Sequence, residues 1–434
     1  MPKRVFFKNE PNNSGDQINY EDLVGVENPA RYRKGGYHPV NIGDLIQDRY
    51  RVVHKLGFGT YSTVWLAFDK DTSHYVAIKV AAGYSNPVEM NIIVCVQTSR
   101  DTIPYLGTNM IPPILDAFDL TGPNGEHSCY VMEPAGASLE LAKSRSHKGL
   151  FPLGVARAMA AQLVIAVAHV HEKGYVHGDL GLRNILLQLP FNIHKYPVAE
   201  LYTKFGEPQS KEVIREDKQA LSHGVPAICV QPIDFKETSD LITLPQARII
   251  LTDFGEAYMP CVQNRFGSNA PSHCEPPEAR WETDKPLNFS ADIWGLACCI
   301  WEIVGWRPLF KSYYSAHYDV TCEQVSVLGR LPTGWWSRWA RGNNNRRYKF
   351  DLAGKPLDRV CFPSLEQRFD LGIQQPRRER DMTPLEPMER NAFLTLMRSM
   401  LAYQPAERIT AKEVLRYEWM VKWALPDFEK MRSS

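Results

Sequence analysis

The chain has 434 residues, of which 44% are hydrophobic and 23% charged, with a formal net charge of +1 at pH 7. That length buries a sizeable core and fits two lobes or domains, in the composition range of a soluble globular enzyme. A charge so close to zero excludes a global field for nucleic acid or an anionic membrane surface, so neither is expected as a direct partner.

Met1 to Asn19 is mostly polar and has no apolar core of a signal peptide. Residues 1–30 read as a weakly ordered lead-in. From Arg49 to Val80 short strands follow one another: Arg51–Leu56 runs into a glycine turn, then come Ser62–Phe68 and Tyr75–Val80. Val88–Val96 predicts a helix. Cys129–Met132 predicts a short strand ending at Glu133-Pro134, where the chain turns. Pro152–Lys173 is Ala-rich with helical spacing of its apolar residues, and Gly174 stops it. Pro190 to Leu244 is rich in Pro, Gly and charge and reads as a partly flexible insertion. Beyond it, Ala291–Val304 predicts a buried helix, and the remainder is mostly helical with Trp-rich loops. A β-rich first part followed by an α-rich second part makes an α+β chain. No stretch reaches the ~18 apolar residues of a spanning helix. The nine cysteines are scattered without a CxxC, and Cys298-Cys299 read as core thiols. A reducing compartment, cytoplasmic or nuclear, is expected.

The residues that carry chemistry lie in four places. Leu56-Gly57-Phe58-Gly59-Thr60-Tyr61-Ser62-Thr63-Val64 is a strand–turn–strand loop whose glycines let backbone N–H groups approach phosphates. Alone, it reads equally well as a plain hairpin turn. Val76-Ala77-Ile78-Lys79 places a lysine in an apolar strand, which is costly without an anion to meet it. In a nucleotide site that lysine holds the α- and β-phosphates and is oriented by a helix glutamate. Glu89 is the only carboxylate between Lys79 and Asp101, so it is the candidate. His177-Gly178-Asp179-Leu180-Gly181-Leu182-Arg183-Asn184 offers Asp179 as base or orienting acceptor and Asn184 as an oxygen ligand for Mg²⁺. Asp253-Phe254-Gly255 supplies a second metal ligand, since hard cations take oxygen donors. His177 reads as a brace for the loop. Downstream, Glu278 and Arg408 are expected to form a buried ion pair, and Asp292 to accept hydrogen bonds from the catalytic-loop backbone.

Together and in this order, these residues resemble the eukaryotic protein kinases over roughly Tyr50 to Lys422. Tyr32-Arg33-Lys34-Gly35-Gly36-Tyr37-His38-Pro39-Val40-Asn41-Ile42-Gly43-Asp44, Lys55 to Leu66 and Gly122 to Glu133 resemble the SR-protein kinases more closely, including Ser62 in the third glycine position. The resemblance implies a small β-rich lobe over about 31–133, a larger helical lobe over about 134–422 with the insertion at about 190–247, and a tail over 423–434. It implies a monomer that uses ATP and Mg²⁺ on protein substrates, Arg/Ser-rich ones by likeness to that family. ATP would lie under Gly57 to Val64 against Ala77, with Glu133 and Ala135 offering hinge backbone to adenine and Met132 behind it.

The sequence departs from that pattern in places. Gly181 stands where serine/threonine kinases carry lysine, and Arg183, four residues after Asp179, sits where tyrosine kinases place a compensating arginine. Gly178 replaces the arginine that anchors a phosphorylated activation loop, so activity without such a phosphate is expected. Ten residues separate Lys79 from Glu89, a short interval for the family. Two other readings stay open on the motifs alone. A small-molecule kinase of the aminoglycoside or choline type shares His-Gly-Asp-Leu, although Glu278, Asp292 and Arg408 argue against it. A catalytically inactive scaffold is opposed by the presence of Lys79, Asp179, Asn184 and Asp253.

Overall fold

Alternation of apolar and polar residues turns the first third of the chain into sheet. In the computed structural model, which describes residues 18–85, 88–98, 106–310, 317–341, 351 and 363–433, strands β1 (Leu45–Ile46), β2 (Tyr50–Phe58), β3 (Ser62–Asp69) and β4 (His74–Ala81) are followed by helix α1 (Val88–Gln97) and strands β5 (Asp116–Gly122) and β6 (Gly125–Met132). The six strands pair antiparallel in the order β1-β2-β3-β4-β6-β5. Val64 stands opposite Lys79, and Ala77 opposite Met132. Val52, Trp65, Ile78 and Val131 fill one face of the sheet. Two irregularities in β2, at Val52/His54 and Lys55/Gly57, bend that strand towards the glycine loop.

The second lobe begins with β7 (Ala135–Ser138), α2 (Leu139–Arg145) and α3 (Leu153–Glu172), then β8 (Ile185–Gln188), α4 (Val198–Phe205), β9 (Ser210–Glu212), β10 (Ile228–Val230) and β11 (Ile249–Leu251). Helices α5 (Glu278–Trp281), α6 (Phe289–Val304), α7 (His317–Leu328), α8 (Thr333–Arg341), α9 (Leu365–Phe369), α10 (Gln375–Glu379), α11 (Pro387–Met400), α12 (Ala411–Val414) and α13 (Leu425–Ser433) complete it. Helices α3 and α6 are buried almost throughout and organise one large core. By length and hydropathy α3 is apolar enough to cross a membrane, contrary to the sequence expectation that no stretch is. Its apolar residues are spent on that core, where nearly every one is buried. Cys298 and Cys299 lie there too, and both are free thiols.

Three segments differ from their sequence reading. Residues 423–434, expected as a tail, contain α13, whose Phe428 and Met431 are buried in the large core and whose Asp427 pairs with Arg157 at 3.2 Å. Part of the lead-in is also anchored: Tyr20 bridges to Arg215, and Glu27 is buried against Lys55 and the Tyr32 hydroxyl. Residues 1–17 lie outside the described residues. The insertion packs along both lobes. Tyr202 Oη donates to Val53 O at 2.7 Å, Ile233 N to Lys55 O at 2.8 Å, and Ile242 and Ala247 enter the large core. Its aromatic and aliphatic residues (Leu201, Phe205, Ile233 and Phe235 among them) cover Val53, Leu66 and Tyr75, on the face of the sheet that also carries Ala77 and Lys79. That apolar set was hidden in the sequence by the Pro, Gly and charged residues around it.

Candidate active site

Strand β4 carries Lys79 into the space between the lobes. Its ammonium is 2.7 and 2.8 Å from the two Glu89 oxygens and 3.2 Å from Asp253 Oδ1. The ten-residue interval suffices because α1 starts at Val88, so Glu89 stands in its first turn. There the positive end of the helix also favours a carboxylate. Glu89 accepts a further bond from Phe254 N at 3.1 Å. Burial alone would lower the Lys79 pKa, but the carboxylates of Asp253 and Glu89 outweigh it and hold the amine well above its ordinary value. Lys79 in turn depresses Asp253. Tyr130, not foreseen from sequence, lays its ring 5.7 Å from the same ammonium.

Below, the loop from His177 to Asn184 is fixed from α6. Asp292 accepts from His177 N at 2.6 Å and Gly178 N at 2.9 Å, and its Oδ2 also meets His171 Nε2 at 2.9 Å. His177 Nδ1 accepts from Asp179 N at 3.3 Å, so Nε2 carries the proton and donates to Thr252 O at 3.1 Å. The ring therefore joins the two loops that present Asp179 and Asp253. Gly178 has φ +79°, and a Cβ there would stand 2.7 Å from Glu256 O. Only glycine meets both conditions without strain.

The Asp179 carboxylate is gripped from one side. Arg183 Nη2 lies 2.8 Å from each of its oxygens, and Asn184 Nδ2 donates to Oδ2 at 2.9 Å and to the Asp179 carbonyl at 2.8 Å. Asn184 precedes β8 and Asp253 follows β11, and these strands pair with Ile185 opposite Leu251. The pairing brings Asn184 beside Thr252, whose N–H donates to Asn184 O at 2.9 Å. With its amide nitrogen committed to Asp179, the Asn184 side chain has its oxygen left for a cation. Asp253, at φ +64°, adds a half-exposed carboxylate. Such a set of oxygen donors fits Mg²⁺.

An added Cβ at Gly57 or Gly59 would meet nothing within 4 Å, so the glycine backbone faces open space. Not every residue of the loop faces it. Thr63 is buried and accepts from Trp65 Nε1 at 3.0 Å, and Ser62 is buried too, whereas Phe58 and Tyr61 are exposed. Leu56 packs beside Val53 and Leu66, Val64 is half-buried, and the Thr60 carbonyl is taken by Arg31. At the hinge, Ala77 is buried opposite Met132, Glu133 lies half-exposed 3.6 Å from His194 Nε2, and Ala135 pairs with Gln188. Glu278 and Arg408 join at 2.7 and 2.6 Å, buried.

Residues 50–195 match the family described as Protein kinase domain. The chain is 29% identical over 432 residues to the serine/threonine-protein kinase SRPK of Physarum polycephalum, across 94% of this chain and 93% of the relative. It is 41% identical over 167 residues to the protein kinase dsk1 of Schizosaccharomyces pombe, across 37% of this chain and 30% of that one. It is 36% identical over 185 residues to the kinase spk-1 of Caenorhabditis elegans, across 42% of this chain but only 18% of the relative. The chain is similar to the protein kinases. Within them it resembles the SR-protein kinases, as the motifs implied. A crystal structure of a kinase domain, 18% identical, superposes with a TM-score of 0.60 over 88% of this chain and 98% of its own, which supports the two-lobed fold alone.

The kinase also holds its site with residues that no motif announced. Tyr37 donates to the Gly59 carbonyl, Arg31 Nη1 to the Thr60 carbonyl at 2.6 Å, and Tyr84 to the same Thr60 oxygen at 3.2 Å. Gly35-Gly36-Tyr37 was visible as a family stretch, but nothing in its composition says that it reaches the glycine loop. Glu237, from the end of the insertion, accepts from Ala137 N at 2.5 Å just past the hinge, and burial raises its pKa. No sequence signal pointed to it.

Proposed function

We propose that this kinase transfers the γ-phosphoryl group of ATP to serine or threonine in Arg/Ser-rich proteins, acting as a monomer in the cytoplasm or nucleus. The observation that supports this reading best is the meeting of Lys79, Asp179, Asn184 and Asp253 in one cleft of a chain similar along nearly its whole length to a kinase named SRPK. In this reading Lys79 binds the α- and β-phosphates, with Glu89 keeping its ammonium aimed. Asn184 and Asp253 would hold Mg²⁺, which would neutralise phosphate charge. Asp179 orients the substrate hydroxyl and takes its proton. Arg183 keeps positive charge beside the reacting groups where Gly181 supplies none. Leu56, Ala77 and Met132 border the adenine, with the backbone of Glu133 and Ala135 at its edge. The eight described cysteines are all free, in keeping with a reducing compartment.

The test is a peptide array with Mg·ATP containing Arg-Ser repeats, Lys-Ser repeats and tyrosine peptides, with choline and an aminoglycoside in parallel. Serine phosphorylation concentrated on the Arg-Ser series is expected, and it should vanish in Asp179→Ala while ATP binding persists. Equal signal in the mutant, or turnover of the small molecules without peptide transfer, would overturn the reading.

A further inference from the structure

Cys298 and Glu302 are spaced i and i+4 on α6 and so share one face of it. Onto that face the chain just ahead of α5 sets His273 and Cys274. His273 Nε2 is 3.4 Å from Glu302 Oε1, and Cys274 Sγ is 4.0 Å from the same oxygen. The donor atoms of these three residues all lie within 4.8 Å of one another. The Cys298 thiol points at the His273 carbonyl at 3.6 Å. Both thiols are buried, and His273 and Glu302 are mostly covered. None of the four touches the groups assigned to phosphoryl transfer.

We propose that His273, Cys274 and Glu302 form a binding site for one Zn²⁺ ion, with solvent in its fourth position, which ties the end of the activation segment to α6. Zinc binds at about 2.3 Å to thiolate and about 2.0–2.2 Å to imidazole or carboxylate, so two of its tetrahedral ligands stand roughly 3.3–3.8 Å apart. The 3.4 and 4.0 Å separations fit such edges to within a few tenths of an ångström. A mixed set of one nitrogen, one sulfur and one oxygen selects zinc over Mg²⁺, Ca²⁺ or Mn²⁺, which favour oxygen alone. On binding, the Cys274 thiol loses its proton to solvent and its sulfur forms one bond to the ion, while His273 binds through a neutral ring nitrogen and Glu302 through its carboxylate. One thiolate and one carboxylate then balance the charge of Zn²⁺. The ion would close a loop from residue 274 to residue 302 that contains Glu278, whose pairing with Arg408 holds the same segment from its other end.

The test uses the full chain purified without chelators or metal-affinity steps. Elemental analysis should find about one zinc per chain surviving gel filtration, and the cobalt-substituted protein should show thiolate-to-cobalt charge-transfer absorption. Cys274→Ser and Glu302→Gln should each weaken zinc retention at least about tenfold against a chromophoric chelator. Cys95→Ser and Cys261→Ser, at exposed thiols, should leave it unchanged. Wild-type protein that retains no zinc and gives no cobalt band overturns the proposal whatever the variants do. So does a cobalt band that survives Cys274→Ser, or a Cys274–Cys298 disulfide found by mass in the purified chain.

Discussion

Arg183 Nη2 lies 2.8 Å from both carboxylate oxygens of Asp179. The guanidinium is therefore held by the proposed base, where the family resemblance had suggested it would face the transferring phosphoryl group. Both duties are compatible, because the Arg183 side chain is 45% exposed. Removing it leaves Asn184 as the other side chain that grips Asp179. Arg183→Ala is expected to lower kcat by about 10- to 100-fold, or roughly 1.4–2.7 kcal/mol, with the KM for ATP within about twofold. Steady-state kinetics on an Arg-Ser peptide checks it. A rise in the KM for ATP with kcat intact would show that Arg183 binds nucleotide instead.

Glu89 is the partner that keeps Lys79 aimed. In Glu89→Gln the ammonium retains Asp253 at 3.2 Å and is drawn towards the proposed metal site. The expected result is a fall of about 100-fold in kcat/KM for ATP, because positioning errors of about an ångström carry that cost. Circular dichroism and melting temperature should change little, since the pair stands at the edge of the cleft. ATP titration by fluorescence separates the loss of binding from the loss of rate.

The glycine loop is fastened by the N-terminal segment through Tyr37 and Arg31. Tyr37→Phe keeps the ring in its buried place, frees the Gly59 carbonyl and removes the acceptor of a 3.3 Å bond from Arg31 Nη1. Its expected effect is a rise of about three- to tenfold in the KM for ATP, since one hydrogen bond contributes about 1 kcal/mol. Tyr37→Phe with Arg31→Ala should exceed either alone. An unchanged KM in the double variant would show that the contact does not position the loop.

Much of this site was legible because its residues carry costs that only a site explains. A lysine inside Val76-Ala77-Ile78 and a carboxylate followed five residues later by Asn184 are hard to place in a bland core. Strand and helix periodicity also marked the sheet, α3 and α6. What the sequence hid was contact between distant segments. Tyr37 with Gly59, Glu237 with Ala137 and Glu27 with Lys55 each join segments whose local pattern says nothing of the other. The insertion was read as partly flexible because its breaker residues mask a short apolar helix face at Leu201 and Phe205. Residues 423–434 looked like a tail because a charged last turn conceals Phe428 and Met431.

The segment after Asp253 is tied down without a phosphate. Arg265 pairs with Glu256, and its guanidinium sits 5.7 Å from the Tyr258 ring. Gly178, where an arginine would await a phosphorylated residue, is closed in by Glu256 O. Phosphatase treatment is therefore expected to leave peptide phosphorylation within about twofold, and Arg265→Ala to reduce it by about tenfold, the effect of one ~1.4 kcal/mol positioning contact. Activity abolished by phosphatase would refute the idea.

Asp292 ties the catalytic loop to α6, and its titration gives that link a pH signature. Burial pushes its pKa up, but His171, His177 and the Gly178 N–H outweigh this and hold it below the ordinary carboxylate value. A carboxylate depressed on folding contributes stability that is fully present above its unfolded pKa of about 3.9. That contribution is lost as the pH falls through the lower folded value. Asp292→Asn has no such charge to lose, and its amide cannot accept both loop N–H bonds, which leaves a buried donor unpaired at a cost of about 2 kcal/mol. The variant should therefore unfold at lower urea than the wild type at neutral pH, and the gap should narrow below about pH 4. Urea melts from pH 7 downward check both parts. A gap that stays constant with pH would mean that Asp292 acts through its shape and not its charge.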